Sequence, residues 1–343
     1  MSLSTNILSG NTIYSGNTNL SDIFQIKTSE LVEVDYYWIG KTGNDIAINS
    51  GGTKAIVTCS NNTIEIIDIT GFTQLTAYTV TSGNYVRYCP ASNEFLVQKT
   101  TGDIFYRISV SGNNLIGTAA TYSEYAVGLA FDCDDTYVYN GILSGGTGGI
   151  CRHKQTDLTD VKFFPLAGSI DKMIKTFNRD EVWYFAAAST YGYAIYDSDV
   201  NLVCNLSSLL SPYTARSISV SPNGNYAGIT KFYSGDPPKF QVVDISNFAS
   251  PSLIISLNKQ YIGSLFLEED FFIWNTVNTS GNYGYDGRIM FSDYDMSNLK
   301  MYPGVYRNLL YTSQIIKNNG FYYLLFSSAD TNVGTHIKKF KIT

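Results

Sequence analysis

The sequence predicts an all-β protein in which seven four-stranded antiparallel sheets are arranged as blades around a ring. Short runs rich in β-branched and aromatic residues alternate with Gly, Asn and Asp turns, and these runs recur in groups of four. No amphipathic stretch of helical length interrupts them, which excludes parallel β-α-β units. This combination is typical of a seven-bladed β-propeller.

The clearest repeat unit begins near Asp45. Its first strand is short, and strands predicted at Lys54–Cys59, Thr63–Ile69 and Gln74–Val80 follow it through Gly-Gly and Asn-Asn turns. The same pattern returns in Arg216–Ser246. The turn between the first two strands marks every copy and recurs at intervals of 41–50 residues, at Gly52, Asn93, Asp135, Asp180, Gly224, Asp270 and Gly320. That spacing is the one expected of propeller blades.

The last copy predicts how the ring closes. It contains three strands, Leu309–Ile316, Phe321–Ser327 and His336–Ile342, and lacks the outermost one. An alternating segment, Glu30–Trp38, precedes the first copy and belongs to none of the blades. We expect it to complete the seventh blade. The residues predicted to close the ring are Leu31, Val32, Val34, Tyr36 and Trp38.

Two blades resemble a known group of repeats. Ile64–Thr70 (IEIIDIT) and Phe240–Ile254 (FQVVDISNFASPSLI) are similar to the repeats of bacterial surface propellers of the YVTN and LVIVD types. Ser221–Ile229 (SPNGNYAGI) resembles their turn motif. The resemblance implies a propeller fold and a binding or structural role, and it implies no activity.

Composition limits the kinds of partner that we expect. Charged residues make up 15 % of the 343 residues and the net charge is −6, so no basic footprint for a nucleic acid is expected. No signal peptide is visible and no stretch of about 18 apolar residues occurs, so we expect no membrane insertion.

Catalytic and metal-binding motifs are also missing. The two histidines, His153 and His336, argue against a histidine-ligated zinc enzyme. Five cysteines without a C-x-x-C pair favour buried free thiols over a disulfide framework or a thiolate metal site. No sialidase box, WD dipeptide, kelch-type double-glycine pattern, P-loop, G-x-S-x-G or H-E-x-x-H occurs. We therefore expect no enzyme activity, no cofactor and no metal.

Two acidic clusters fall at turns between first and second strands. Asp and Asn are favoured at turns because their side chains bind nearby backbone groups, which is the simpler explanation of both clusters. A calcium site in the cluster of Asp132, Asp134 and Asp135 remains the alternative. The clusters are Asp132/Asp134/Asp135 and Glu268/Glu269/Asp270.

The connections between second and third strands predict a ligand-binding surface. They are tight in the first two blades, at Ser60–Asn62 and Thr100–Asp103, and are predicted to lengthen in the later ones. The predicted longer loops are Ser144–Gly149, Ala188–Tyr193, Tyr233–Lys239, Thr276–Asp286 and Ala329–Thr335.

Tyrosines among Gly, Ser, Asn and Asp in these loops suit recognition of glycans or proteins. The alternative is that tyrosine-rich loops are a general feature of a chain with 27 tyrosines. The predicted ligand-binding residues are Tyr191, Tyr193, Tyr233, Asp236, Asn275, Tyr283, Tyr285 and Asp286.

Residues 1–28 do not fit the repeat, and residues 29–343 form the predicted propeller. A strand is predicted at Thr12–Tyr14, and the segment is too short for a core of its own. The I-Y-S-G…L-x-D-I-F run in Gly10–Phe24 resembles a segment of structural proteins of tailed bacteriophages, including crAss-like phages, where it precedes fibre or appendage domains. The predicted docking anchors are Ile13, Tyr14, Leu20, Ile23 and Phe24.

Taken together, these features predict a non-enzymatic virion protein of a tailed bacteriophage, made in the host cytoplasm and extracellular after release. Residues 1–28 would dock it to other virion proteins, and the propeller would serve decoration or recognition of a host glycan or receptor. Two alternatives remain open. One is a propeller glycosidase or lyase acting on host surface polysaccharide, and the other is a bacterial surface or scaffold propeller.

Overall fold

The computed structural model describes most of the predicted ring and a small sheet that precedes it. The described residues are 7–9, 12–14, 31–81, 83–99, 104–120, 127–144, 147–159, 162–165, 173–189, 192–210, 215–233, 236–258, 262–276, 289–296, 300–302, 309–328 and 335–342. Strands β1 (Ile7–Ser9) and β2 (Thr12–Tyr14) form a separate antiparallel pair, followed by β3 (Leu31–Ile39). The strand predicted at Thr12–Tyr14 is confirmed, and its partner β1 was not predicted.

Seven four-stranded antiparallel sheets follow, as predicted. Blade 1 contains β4 (Gly43–Ile48), β5 (Lys54–Cys59), β6 (Thr63–Asp68) and β7 (Thr73–Thr79). Blade 2 contains β8 (Gly83–Cys89), β9 (Glu94–Lys99), β10 (Ile104–Ser109) and β11 (Leu115–Ala120). Blade 3 contains β12 (Val127–Cys133), β13 (Tyr137–Ser144), β14 (Thr147–Lys154) and β15 (Lys162–Pro165).

Blades 4 to 7 continue the pattern. Blade 4 contains β16 (Met173–Arg179), β17 (Val182–Ser189), β18 (Gly192–Asp197) and β19 (Leu202–Asn205), followed by the short helix α1 (Ser207–Leu210). Blade 5 contains β20 (Ala215–Val220), β21 (Tyr226–Tyr233), β22 (Asp236–Asp244) and β23 (Ser252–Asn258). Blade 6 contains β24 (Ile262–Leu267), β25 (Phe271–Thr276), β26 (Ile289–Asp293) and β27 (Lys300–Tyr302). Blade 7 contains β28 (Leu309–Asn318), β29 (Phe321–Ser328), β30 (Thr335–Ile342) and β3.

The first strands of the blades line the inside of the ring. Each contacts the first strand of the next blade, and β28 contacts β4, so the circle is complete. Within each blade the strands run outward in antiparallel order. The blades therefore stand radially, as in a propeller.

The predicted closure of the ring is confirmed. Strand β3 pairs antiparallel with β30 from Leu31 opposite Ile342 to Ile39 opposite Thr335. The order β28-β29-β30-β3 makes β3 the outermost strand of blade 7. The front of the chain thus completes a sheet that the final strands begin.

The hydrophobic core lies mainly between blades rather than within one central layer. At the closure, Ile39 and Ile337 of blade 7 pack in one cluster with Ile46 and Val57 of blade 1. Comparable clusters lie between blades 1 and 2, 2 and 3, 3 and 4, 4 and 5, and 5 and 6. Because each blade shares apolar side chains with its neighbours, the blades stabilise one another.

Candidate interaction surface

Three predicted loops are much shorter in the structure. Ser144 pairs with Thr147, Ser189 with Gly192, and Tyr233 with Asp236, so β-ladders replace most of each predicted loop. The predictions Ser144–Gly149, Ala188–Tyr193 and Tyr233–Lys239 were therefore wrong in extent. In the first of these hairpins Gly149 permits a close approach, because it lies against the Phe163 ring and the Phe164 carbonyl.

Tyr193 was wrongly predicted to contact a ligand. It lies in β18, is 1 % exposed, and packs in the core cluster between blades 4 and 5. Its N–H donates to Ser207 Oγ at 3.1 Å, which ties the strand to α1. Burial raises the pKa of its phenol well above the usual value. A side chain so enclosed offers no surface to a ligand.

The other predicted ligand-binding residues stay predictions. Tyr233 and Asp236 form the last cross-strand pair of the β21–β22 hairpin, and Asn275 pairs with Ile289 in blade 6. The remaining four, Tyr191, Tyr283, Tyr285 and Asp286, lie outside the described residues.

The predicted docking anchors are only partly described. Ile13 and Tyr14 lie in β2, where they pair with Leu8 and Ile7. Leu20, Ile23 and Phe24 fall outside the part of the chain that the structure describes. Their proposed role is untested.

The face of β3 that points away from blade 1 carries an apolar stripe. Val34, Tyr36 and Trp38 are 50 %, 55 % and 53 % exposed, whereas Ile39 on the opposite face is 1 % exposed. Tyr37 is half-buried and packs against the same cluster as Ile39. Side chains alternate across a strand, so Tyr37 and Ile39 face blade 1, and the stripe lies on the opposite face of blade 7, where it is exposed. We call Val34, Tyr36 and Trp38 the β3 stripe.

This stripe lies on the longest outermost strand of the ring. Strand β3 has nine residues, whereas the outermost strands of the other blades have three to seven. Among the described strands none pairs with its outer edge. A long unpaired edge on a strand with exposed apolar side chains is a favourable place for a partner to add a strand.

Charged side chains on the inner strands form a chain across four blades. Arg87 in β8 contacts Asp45 of β4 at 2.7 Å and Asp132 of β12 at 3.4 Å. Lys175 in β16 contacts Asp132 at 3.4 Å. Asp45 also accepts the Val86 N–H at 3.0 Å, and Asp132 accepts the Thr176 N–H at 2.9 Å. The charges therefore link the backbones of adjacent blades.

Burial and pairing oppose each other along this chain of charges. Burial raises the pKa of Asp45 above its usual value, although Arg87 and two backbone N–H groups lower it in part. Burial alone lowers the pKa of Arg87, but Asp45 and then Asp132 more than offset this, so the pKa is raised. Asp45 is 0 % exposed. These groups act as structural partners of one another rather than as an open acid and base.

The acidic turns have protein partners, local ones for Asp134 and ones in blade 7 for Glu268. Asp134 accepts the N–H groups of Thr136 and Tyr137 at 2.7 and 2.6 Å and the Tyr139 hydroxyl at 2.7 Å. Glu268 binds Lys317 at 2.8 Å and the Tyr322 hydroxyl at 3.0 Å. Within the described ranges, no group of three or more potential ligands could hold a metal ion. In the same ranges no helix has the length and apolarity to cross a membrane.

Sequence reasoning missed the inner-strand charges and the face of the β3 stripe. A signal for the first exists: Asp45, Arg87, Asp132 and Lys175 each stand in the first strand of consecutive blades, in a chain with few charges.

Comparisons with known proteins agree with this architecture. BamB from Moraxella catarrhalis is similar with a TM-score of 0.57 and 12 % identity, over 88 % of this chain and 85 % of that one. The Cps50 (Swd1) β-propeller domain of Myceliophteria thermophila is similar with a TM-score of 0.62 and 9 % identity, over 91 % of this chain and 100 % of that one. The fold is a seven-bladed β-propeller. At such low identity these likenesses show the fold alone.

Sequence comparisons give no family. No family model matches the chain. No curated protein matches it.

Proposed function

We propose that this propeller is a non-enzymatic binding protein of a tailed-bacteriophage virion, attached to a protein partner through its N-terminal region and the β3 stripe. The single observation that carries the attachment is the exposure of Val34, Tyr36 and Trp38 on the longest outer strand. The sequence resemblance of Gly10–Phe24 to phage structural proteins supports the virion assignment.

The β3 stripe suits a partner that adds an extended segment. Main-chain hydrogen bonds to the outer edge of β3 would supply affinity, and apolar side chains of the partner would cover Tyr36 and Trp38. Large aromatic side chains dominate the energetics of such contacts. Residues 1–28 lie shortly before β3 in the sequence, and we propose that both parts bind the same partner.

The inner-strand charges support a non-enzymatic role. A glycosidase needs two carboxyl groups that reach the substrate. Asp45 is 0 % exposed and shares Arg87 with Asp132, so its oxygens already have protein partners. A propeller glycosidase or lyase, or a bacterial surface propeller without viral origin, is the alternative.

The second role of the propeller would be decoration or recognition of a host glycan or receptor. The candidate contacts are those ligand-binding predictions that remain after the exclusion of Tyr193. Many weak sites on one particle would act together through avidity. These contacts are Tyr191, Tyr233, Asp236, Asn275, Tyr283, Tyr285 and Asp286.

Co-sedimentation of the protein with gradient-purified virions of a tailed bacteriophage tests the attachment. We expect the full chain to co-sediment, and both the chain lacking residues 1–28 and the variant Tyr36→Ser/Trp38→Ser to remain in the soluble fraction. Leu202→Ser is the matched control, because Leu202 is 57 % exposed on the outermost strand of blade 4 and should not affect incorporation. Circular dichroism would establish that all variants fold. Normal incorporation of the stripe variant and of the truncated chain would refute the attachment.

A glycan array beside a polysaccharide depolymerisation assay tests the second role. We expect glycan binding that Tyr283→Ala and Tyr285→Ala weaken together, with no release of oligosaccharide. Depolymerisation would instead establish the enzyme alternative.

A further inference from the structure

Two cysteines from adjacent blades meet at the inner strands. Cys89 ends β8 of blade 2 and Cys133 ends β12 of blade 3. Their Sγ atoms are 2.7 Å apart. Non-bonded carbon atoms approach only to about 3.5–4.0 Å, and the sulfur atoms of a disulfide lie about 2.05 Å apart. The two thiols therefore stand close to bonding distance.

The two thiols differ in their surroundings. Cys89 is 0 % exposed in the core between blades 2 and 3, and Cys133 packs at the edge of the same cluster and is partly exposed. Burial, followed by the neighbouring thiol, raises the pKa of Cys89 well above its usual value. Cys133 is thus the thiol that a reagent from solution reaches first.

The other three cysteines have different locations. Cys59 belongs to the cluster between blades 7 and 1, and Cys204 to the cluster between blades 4 and 5. Cys151 packs with Ile142 and Phe163 inside blade 3. All five thiols are free in the structure.

We propose that Cys89 and Cys133 form a dithiol site that a small-molecule disulfide converts into a covalent bond between blades 2 and 3. In the first step the Cys133 thiolate attacks the reagent disulfide and releases one reagent thiolate, leaving Cys133 in a mixed disulfide. In the second step Cys89 passes its proton to the released thiolate and attacks Cys133 Sγ, which expels the second reagent thiolate. The pair loses two electrons and two protons: the proton that Cys133 gives to solvent on ionising is taken up by the second expelled thiolate, so the reagent disulfide becomes two thiols.

The bond would restrict the unfolded chain more than the folded one. It closes a loop over a sequence separation of 44 residues, which lowers the entropy of the unfolded state. We expect the oxidised protein to melt a few degrees higher than the reduced protein.

Treatment of the full reduced chain with glutathione disulfide tests this proposal. Thiol titration in denaturant should fall from five groups to three, and peptide mapping without reduction should recover one linked pair, Cys89 with Cys133. Cys89→Ala should stop at a glutathione adduct on Cys133, because the resolving thiol is gone. Cys133→Ala should leave Cys89 unmodified.

Cys59→Ala and Cys204→Ala are the matched controls, and each should still form the Cys89–Cys133 bond. Circular dichroism would check that every variant folds. If a variant does not fold, the peptide mapping of the wild-type protein still tests the proposal. Five titratable thiols after treatment, or a disulfide that joins any other pair, would overturn the proposal.

Discussion

Arg87 shows how one side chain can hold three blades together. It lies between Asp45 of blade 1 and Asp132 of blade 3, and its guanidinium stands 5.7 Å from the Phe131 ring. Only 16 % of its side chain is exposed. Taking charges out of water is costly, so the arrangement is favourable only while all partners are present.

Removal of Arg87 should therefore destabilise the protein strongly. Arg87→Met leaves two buried carboxylates without their shared cation, and we expect the free energy of unfolding to fall by about 3–5 kcal/mol. Arg107→Met, which breaks the more exposed pair with Glu94, should cost only about 1 kcal/mol. Urea denaturation at neutral pH measures both. Equal losses would show that Arg87 has no special role.

His153 gives the protein a predictable response to acid. It is 0 % exposed in β14, and neither ring nitrogen has a hydrogen-bond partner in the described part of the chain. Burial lowers its pKa from 6.5 to about 4. Between these pH values the unfolded state binds a proton that the folded state does not. The free energy of unfolding therefore falls as pH falls through this window, by up to about 3 kcal/mol.

The variant His153→Leu removes this proton uptake. Its free energy of unfolding should depend less on pH between 6.5 and 4 than that of the wild type, so the difference between the two should shift in favour of the variant on acidification. Urea titrations at pH 7 and pH 4.5 measure the shift. Parallel pH profiles of the variant and the wild type would contradict the assignment of the acid response to His153.

At the level of elements, β3 has two faces with different tasks. The face with Ile39 seals the interface to blade 1, and the opposite face carries the β3 stripe. Ile39→Ala should lower the free energy of unfolding by about 2–5 kcal/mol, because it opens a cavity in the core. Val34→Ala, at a half-exposed position, should change it by no more than about 0.5 kcal/mol. Thermal or urea denaturation of the two variants compares the faces, and a larger loss for Val34→Ala would reverse the assignment of the faces.

The sequence predicted this strand but not which face is buried. Apolar residues occur at both parities in ELVEVDYYWI, so alternation alone leaves the register open. A bulge between Glu33 and Asp35 then shifts the pairing with β30. Only the contacts with blade 1, which come from distant residues such as Val57, decide the matter.

The strand bounds within the repeat could be predicted accurately, because they depend on local residues. Strands such as Lys54–Cys59 were predicted at their observed bounds because local turn residues delimit them. The predicted loop lengths were wrong where Gly and Ser continue a strand, as at Ser189 and Gly192. The Asp45–Arg87 pair joins residues 42 apart and could not be found from local pattern.

Across the whole molecule, contacts between neighbouring blades recur in similar form. Basic side chains reach carbonyl groups that follow the third strand of the next blade: Lys54 binds Val110, and Arg179 binds Ile245 at 2.9 Å. At the closure, Asn318 of blade 7 binds the Asn49 carbonyl at 2.9 Å. Because every blade depends on two neighbours, opening the ring at one place should weaken all of it.

Removal of β3 tests this cooperativity. A chain that lacks residues 1–39 loses the ladder with β30, in which each hydrogen bond contributes about 0.5–1.5 kcal/mol net. It also loses the burial of Ile39, worth about 2 kcal/mol. The sum is comparable to the total stability of a typical protein, about 5–15 kcal/mol. We therefore expect one cooperative transition at a much lower temperature, or no folded state.

The chain that lacks only residues 1–28 is the matched control, because it keeps β3 and its pairing with β30 intact. Its melting temperature should equal that of the full chain, as measured by calorimetry. If the shorter chain without β3 melted at the same temperature as well, the outer strand would add nothing to the ring, and the blades would have to be stable as an open arc. If it melted in two separate steps, blade 7 would fold apart from the others. Either result is incompatible with an interface in which Ile39 and Ile337 share one core with Ile46 and Val57.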